Sequence, residues 1–302
     1  MGVTWLRRLA WATLVANVGI VLTGGVVRLT SSGLGCPTWP RCTEDSYVPR
    51  GELGIHQAIE FGNRTLFGVL GVIALATFVA ARRSNRPDLA RMALLIGLII
   101  PAQAVLGGIT VLTDLNPWVV SLHLLASLAI ISVAVRLLLS LEAALPPAHG
   151  GSVTWLAWVT FAAAWAVFYL GTVVTGSGPH AGDKDAVRTG LDPRTMSQLH
   201  ADLVFLFVGL TVGLLFALLA AGGRPRATRA VSVLLGVELA QGAIGFVQYV
   251  TDLPVVLVGF HLLGAALVSA CVTWVLLEVR HPRPTGPPVA PAGSPSRSTP
   301  AR

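Results

Sequence analysis

The chain has 302 residues, of which 54% are hydrophobic and only 12% are charged. A typical soluble domain is about one quarter charged, so this composition excludes an ordinary soluble globular protein. The net charge of +7 comes mainly from arginines in short segments between apolar runs, without interleaved aromatic residues. That distribution offers no nucleic-acid-binding surface.

In chain order, the hydrophobic segments predict eight spans of about 20 residues, the length that crosses a bilayer as a helix. The runs are 9–29, 62–81, 92–112, 119–140, 154–175, 198–221, 230–250 and 255–278. The first run is long enough to remain as a span and lacks a clear small-residue cleavage site, so we expect no cleavable signal peptide. The predicted fold class is an all-α integral membrane protein.

Arginines mark one side of the membrane. They precede span one, lie between spans two and three and between spans six and seven, and follow span eight. Under the positive-inside rule these segments are cytoplasmic. We therefore expect a multi-pass protein of the cell membrane with both termini cytoplasmic and the long loops 30–58 and 176–197 outside. The Pro-, Ser- and Gly-rich segment 281–302 is expected to be a disordered cytoplasmic tail.

The chain contains an internal repeat. The same four residue types recur with identical spacing in spans three to four and in spans seven to eight. The first set is Gln103, Gly107, Thr113 and His123, and the second is Gln241, Gly245, Thr251 and His261. Each half has an even number of spans, so both halves insert the same way up. We predict two parallel-repeat four-helix bundles, residues 1–145 and 146–280.

Two histidines of the second half have the arrangement that holds a porphyrin iron. His200 begins span six and His261 begins span eight, both from the outer side, so their imidazoles are expected at the same depth. Helical bundles bind a heme iron between two such imidazoles. The alternative is a pair of hydrogen-bonded packing residues. A zinc site is disfavoured because the cysteines do not accompany these positions, and His149 and His281 are expected to be solvated.

The first half repeats this arrangement incompletely. His123 matches the histidine of span eight, but the match to the histidine of span six falls near position 62, where the nearest polar candidate is Asn63. His56, Glu60 and Asn63 share one helical face if the helix extends out to residue 56. A carboxylate beside an incomplete iron site predicts a reactive pocket in the first half and a holding or electron-transfer pocket in the second.

Two motifs carry a family resemblance. The run 23–42 reads TGGVVRLTSSGLGCPTWPRC and contains a Gly-Cys-Pro-x-Trp-Pro-x-Cys loop, and the run 59–64 reads IEFGNR. With the TGSGPHAGD run at 175–183, they resemble the heme A synthase family over nearly all of residues 9–279. The resemblance implies a heme-dependent membrane oxidoreductase that converts the methyl group of heme O to the formyl group of heme A, for terminal oxidase assembly.

The resemblance also implies roles for individual residues. The second-half pocket would hold a heme b cofactor through His200 and His261, and the first-half pocket would hold substrate heme O through His123 and position 63. The catalytic glutamate of the family corresponds to Glu60, and its outer-loop disulfide to Cys36 and Cys42. Many members have His where this chain has Asn63, and Asn is a poor iron ligand. Either His56 supplies the second ligand, which we favour, or His123 holds the substrate iron alone.

Alternatives remain for several of these residues. Cys36 and Cys42 lie in an outer loop, where disulfides persist, and could form a structural disulfide, a redox-active disulfide or two free thiols. Glu60 could transfer protons, as the resemblance favours, or form hydrogen bonds at a helix end. Arg28 and Arg64 are candidate partners for heme propionates or could extend to the membrane interface.

Four further residues have weaker interpretations. Glu238, well inside span seven, is either functional or bonded to a neighbouring helix. Asp202 is expected to bond an outer-loop group, His180 to be a solvated loop residue, and Cys271 to be a packing residue in span eight.

Two other functions are alternatives. A di-heme b electron-transfer protein of the quinol-oxidising type also uses His pairs in a four-helix bundle. Such a protein requires two complete histidine pairs, however, and does not require Glu60. A heme transporter is disfavoured because the repeat is not inverted. On the leading interpretation, the partners are heme O, the lipid bilayer, an unidentified electron donor and heme O synthase.

Overall fold

The computed structural model describes residues 3–49, 54–141, 151–222 and 225–280. Within these ranges the chain forms eight α-helices: α1 (Val3–Leu29), α2 (Ile55–Arg83), α3 (Pro87–Leu112), α4 (Pro117–Leu139), α5 (Gly151–Ser177), α6 (Pro193–Ala220), α7 (Pro225–Val250) and α8 (Val255–Arg280). All eight are long and apolar enough to cross a membrane, which confirms the predicted fold class. His149, His281 and the predicted tail 281–302 lie outside the described residues.

Local sequence explains where several helices begin. Four of them start on a proline: Pro87, Pro117, Pro193 and Pro225. Proline suits this position because its fixed φ is helical and its missing N–H would have no partner there. Asn116 also caps α4 by accepting from Trp118 N–H at 3.0 Å, and Asp192 caps α6 by accepting from Thr195 N–H at 2.7 Å. The hydrogen bonds from Thr195 hold the pKa of the Asp192 carboxyl below its usual value.

Helix α2 begins earlier than its hydrophobic run predicted, at Ile55 instead of residue 62. Hydropathy misses this part because it carries His56 and Glu60. The outer loop covers Glu60, which is only 4% exposed. The helix therefore does extend out to residue 56, which was the condition for a shared face with Asn63.

Contacts between helices close two rings of four. In the first half α1 packs on α2, α2 on α3, α3 on α4 and α4 back on α1, and the second half repeats this order from α5 to α8. The rings meet where α4 packs on α8, α1 on α8 and α4 on α5. Exchanging the two halves leaves this set of contacts unchanged, as expected for two parallel repeats.

The repeat extends to individual hydrogen bonds. Gln103 Nε2 donates to the His123 carbonyl at 3.2 Å, and Gln241 Nε2 donates to the His261 carbonyl at 2.9 Å. The turns after α3 and α7 each place an Asp-Leu pair, residues 114–115 and 252–253, at positive φ. Non-glycine residues adopt this conformation rarely, so its recurrence at one place in both halves confirms the predicted duplication.

The outward faces of the helices are apolar. Large hydrophobic side chains are exposed on several of them, including Val72 (69%), Phe205 (76%) and Phe246 (69%). Soluble proteins rarely expose extended apolar surface, whereas a bilayer covers it without cost. The surface therefore agrees with the membrane assignment.

We expect Gln103→Leu and Gln241→Leu each to lower the free energy of unfolding by about 0.5–1 kcal/mol, because interhelical hydrogen bonds in membranes contribute about that much. Denaturant unfolding in detergent measures the change. Leu98→Ala, on the exposed face of α3, is the control and should have a smaller effect. Equal effects for all three variants would mean that the glutamines do not help to hold α3 to α4 or α7 to α8.

Candidate functional site

His200 of α6 and His261 of α8 lie close together in the second half. Their ring centres are 6.5 Å apart, and the ring planes are inclined by 77°. Two metal–nitrogen bonds of about 2.0 Å, with about 1.1 Å from each nitrogen to its ring centre, place the centres of two axial imidazoles about 6.2 Å apart. The spacing suits one metal ion, such as a porphyrin iron, between the two rings.

Each candidate ligand rests against a glycine of a neighbouring helix. A Cβ added to the glycine would lie 3.2–3.4 Å from Cε1 of the ring in the pairs Gly171–His200, Gly245–His261 and Gly107–His123. Such contacts are tighter than side chains normally make, so glycine lets each ring approach the helix backbone. A larger residue at these positions would displace the ring.

The Nδ1 atoms of the same three histidines are buried and make no hydrogen bond of good geometry with the described part of the chain. The Val167 backbone lies near the His200 ring, and the Gln241 backbone lies near the His261 ring. Neither contact has the geometry of a good hydrogen bond to Nδ1. A histidine that binds a metal through one nitrogen usually directs the other N–H to a carbonyl or a carboxylate. In the second-half pair a backbone segment thus lies near each ring, but the hydrogen bond that usually accompanies metal ligation is not formed.

The first half has open space where the second half has the imidazole ring of His200. The run GGVV at 24–27 of α1 matches the run GTVV at 171–174 of α5, so Gly24 corresponds to Gly171. A Cβ at Gly24 would nevertheless meet nothing within 4 Å. Gly24 lines a cavity of about 540 Å³ that the four first-half helices enclose together with α5, α8 and both outer loops. Ligand pockets have volumes of about 300–1,000 Å³, so a sizeable organic ligand fits.

Five of the predicted site residues line this cavity: Arg28, Glu60, Asn63, Arg64 and His123. They come from α1, α2 and α4, so tertiary packing brings together residues that are almost 100 positions apart in the chain. The cavity thus combines one imidazole, one carboxylate and two guanidinium groups.

His56 is not among the lining residues. Its side chain is exposed, and its Nδ1 lies 3.0 Å from the hydroxyl oxygen of Ser32 in the outer loop. Seven residues separate it from Asn63, which is about 10 Å along a helix. The structure therefore places His56 apart from the residues that line the cavity, and its role as an iron ligand stays a prediction.

Asn63 faces the cavity but is tied to α1. The Thr23 hydroxyl donates to Asn63 Oδ1 at 2.7 Å. The position that corresponds most closely to His200 thus carries an amide whose oxygen is already hydrogen-bonded, and His123 is the histidine that lines the cavity.

Glu60 is held between α2 and the first outer loop. Its Oε1 accepts from Arg64 Nε at 3.0 Å and from Arg64 Nη2 at 2.5 Å, and its Oε2 accepts from Cys36 N–H at 2.6 Å. Arg64 supplies the opposite charge that a buried carboxylate needs. Glu60 therefore has a fixed orientation at the cavity wall.

Arg64 also fixes the outer loop, which the Cys36–Cys42 disulfide closes. Its Nη1 donates to the carbonyls of Thr38 and Arg41 at 3.0 and 3.3 Å, and its Nη2 donates to the carbonyl of Cys36 at 2.9 Å. All three guanidinium nitrogens are thus engaged within the protein. These donors hold the loop and Glu60, so a propionate would have to compete with them for Arg64.

Arg28 has different partners. Its Nε donates to the carbonyl of His180 at 2.6 Å and its Nη2 to the carbonyl of Thr175 at 3.0 Å. Both acceptors are neutral, and no carboxylate among the described residues pairs with it. Arg28 remains a cationic group on the wall of the cavity.

One cavity residue was present in the motif but received no role from the sequence. Trp39 of the disulfide loop lines the cavity, and a Cβ at Gly108 of α3 would collide with its indole ring. The glycine thus makes room for the tryptophan. An aromatic residue inside a short cysteine loop was the available signal, but its contact with α3 required the fold.

The residues with weaker interpretations lie as follows. Glu238 bonds a neighbouring helix: Thr211 of α6 donates to its Oε1 at 2.8 Å, while Oε2 is buried without a hydrogen bond within the described chain. Cys271 packs against the hydrophobic core. Asp202 accepts from Gln198 of its own helix at 2.8 Å, and no described residue of an outer loop donates to it.

His180 is half-buried and not simply solvated, contrary to expectation. Its Nε2 lies 2.9 Å from the carbonyl oxygen of Leu253, in the turn before α8. Sequence alone could not place a loop residue against a turn 73 positions away.

We expect Arg64→Met to lower the free energy of unfolding by about 3 kcal/mol, because it leaves the buried Glu60 carboxylate without its counter-charge. The double variant Glu60→Gln with Arg64→Met should be less destabilised than Arg64→Met alone. Denaturant unfolding in detergent measures both. A double variant that is no more stable than the single one would contradict the charge-pair explanation.

Comparisons with known proteins identify the family of this chain. Residues 7–182 match the COX15-CtaA family model, described as cytochrome oxidase assembly protein. The chain is 33% identical to heme A synthase of Shewanella oneidensis over 155 residues, which is 46% of each protein. It is 32% identical to heme A synthase of Lysinibacillus sphaericus over 141 residues, 45% of each protein.

A third relative has a different name. The chain is 38% identical to protoheme IX farnesyltransferase of Thermus thermophilus over 76 residues, 25% of this chain and 12% of that protein. The chain spans about half or less of the length of the curated relatives it matches. Because the family model covers more than half of the chain, the protein belongs to the COX15-CtaA family of cytochrome oxidase assembly proteins.

Proposed function

We propose that this protein is a heme A synthase, an oxidoreductase that converts the methyl group of heme O to the formyl group of heme A. The observation that carries the proposal is the inequality of the two halves. The second half has a complete histidine pair at iron-ligand spacing, and the first has a cavity with one histidine and a buried carboxylate. The named relatives from Shewanella and Lysinibacillus support the same assignment.

The second half is assigned to a heme b cofactor. Bound between His200 and His261, heme b supplies one-electron redox chemistry. The residues present fit this group: the ring spacing matches two axial imidazoles, and glycines on α5 and α7 leave room for the rings. His200 and His261 would hold the iron from two sides, and the group would supply electron transfer there.

The first-half cavity is assigned to the substrate heme O. His123 is the proposed protein ligand to the substrate iron, and the amide at Asn63 leaves the other side without a strong ligand. Glu60 is the proposed proton acceptor, since oxidation of a methyl group releases protons and its carboxylate lines the cavity. Arg64 and the N–H of Cys36 hold that carboxylate in place.

The disulfide loop is proposed to close the outer end of this cavity. Trp39 and Pro40 of the loop line it, and Arg64 ties the loop to α2. We propose that the Cys36–Cys42 bond holds the loop in this shape, which assigns the disulfide a structural role.

The orientation and partners follow from charge and similarity. Arginine-rich segments put both termini in the cytoplasm, and the three candidate ligands then lie toward the outer face of the cell membrane. Heme O synthase is the proposed supplier of substrate, and the Thermus relative named protoheme IX farnesyltransferase supports that link. The oxidation also needs a redox partner to balance its electrons, and we assign this role to an unidentified electron-transfer partner in the membrane.

Glu60→Gln and His123→Ala should abolish heme A formation while keeping heme b, because both residues line only the first-half cavity. Heme extraction and chromatography from cells that express each variant measures heme O and heme A. His56→Ala should retain product. Loss of heme A in His56→Ala would support His56 as an iron ligand. Heme A formation by Glu60→Gln would reject the proposed role of Glu60.

Purified protein should show a six-coordinate heme b absorption spectrum that depends on the glycine contacts. Gly245→Ala and Gly171→Ala should lower the six-coordinate fraction, because the new Cβ meets the ligand ring at 3.3 and 3.2 Å. Gly242→Ala is the matched control on α7, since a Cβ there meets nothing within 4 Å. Identical spectra for Gly245→Ala and Gly242→Ala would argue against ligation by His261.

A further inference from the structure

The second outer loop, residues 178–192, belongs to the second half but reaches the cavity of the first. Ala181 and Gly182 line that cavity, and the Gly182 carbonyl accepts from Gly33 N–H at 2.9 Å. Gly182 has a φ of +101°, and a Cβ there would lie 3.1 Å from Leu115 and 3.7 Å from Arg28. Glycine at this position therefore allows the loop to approach the first half closely.

His180 is bound at both its side chain and its backbone. The ring Nε2 lies 2.9 Å from the carbonyl oxygen of Leu253, in the turn that leads into α8. The His180 carbonyl oxygen accepts from Arg28 Nε at 2.6 Å. One residue thus connects the wall of the first-half cavity with the turn before the helix that carries His261.

The hydrogen bonds of Arg28 use only one edge of its guanidinium group. Nε and Nη2 donate to the carbonyls of His180 and Thr175, and Nη1 makes no hydrogen bond with a described residue. The positive charge is not neutralised by a described carboxylate. Because arginine binds carboxylates through two parallel N–H groups, the Nη1 side of Arg28 remains for an anionic group in the cavity.

We propose that His180 is a positioning residue that orients Arg28 to bind a carboxylate of the ligand in the first-half cavity. This inference rests on the proposed function, in which that ligand is a porphyrin with two propionates. The ring contact with Leu253 fixes the His180 backbone, so the His180 carbonyl holds one edge of Arg28 and directs the other edge to the ligand. The same contact ties the carboxylate site to the second half.

The test compares two probes on the full-length protein that already carries heme in the second half. Iron protoporphyrin IX has free propionates, and its dimethyl ester lacks the charges. We expect the free acid to bind about tenfold more tightly than the ester, as one charge-assisted contact allows. Absorbance titration measures both dissociation constants, with the six-coordinate spectrum of the second-half heme recorded first as a check of folding.

Variants separate the two residues. Arg28→Met should abolish the preference for the free acid, and His180→Ala should reduce it about threefold because it acts only through Arg28. His180→Gln should restore the preference, since a glutamine amide can donate to the Leu253 carbonyl. Lys184→Ala, exposed in the same loop, should behave as the unmodified protein.

The proposal is overturned if His180→Ala keeps the full preference while Arg28→Met loses it, or if Arg28→Met keeps it. If His180→Ala loses the six-coordinate spectrum of the second half, His180→Gln is compared with Lys184→Ala instead. Loss of the preference for the free acid in His180→Gln then overturns the proposal. Heme A formation in cells is scored separately. A preference that depends on both residues without any heme A would refute the enzyme assignment and leave the carboxylate site in place.

Discussion

A carboxylate buried at one end of an apolar bundle needs an opposite charge and hydrogen-bond donors, and the pairing of Glu60 with Arg64 meets this requirement. The first-half site depends on it. Burying an unpaired charge costs several kcal/mol, so Arg64 cannot be spared for another role. Its remaining donors bind carbonyls of the disulfide loop, and the same pair therefore sets both the orientation of Glu60 and the closure of the cavity.

The duplicated backbone makes the difference between the halves informative. Both halves repeat the Gln–His hydrogen bond, the Asp-Leu turn and the glycine beside the histidine of the last helix. They differ where Gly171 supports His200 and Gly24 faces open space. Because the scaffold is shared, loss of one ring in the first half leaves a cavity instead of a different fold. The same bundle thus provides the proposed metal site in one half and an open cavity in the other.

The halves also contribute directly to each other. Leu262, next to His261 on α8, lines the first-half cavity, and a Cβ at Gly25 of α1 would lie 2.8 Å from its Cδ1. The close packing of α1 on α8 at this glycine brings the second-half helix to the cavity wall. A ligand in the first half is therefore one side chain away from the helix that carries His261.

The sequence by itself determined the membrane fold and the duplication, because these depend on local properties, and it named residues that line the first-half cavity. Hydrophobic runs mark spans, identical spacing marks a repeat, and His123, Glu60 and Asn63 follow from that spacing. The Cys36–Cys42 disulfide came from a motif resemblance and is present in the structure.

Only the tertiary structure decided which side chains meet. Sequence spacing put His56 on the face of Glu60 and Asn63, but spacing gives no position along the helix relative to the cavity, and His56 lies outside it. Arg28 and Arg64 looked equivalent as arginines near helix ends. Packing gave Arg64 a buried carboxylate and loop carbonyls, and gave Arg28 two neutral carbonyls from the second half. Those partners are distant in sequence, so long-range contacts fix the charge balance at each guanidinium group.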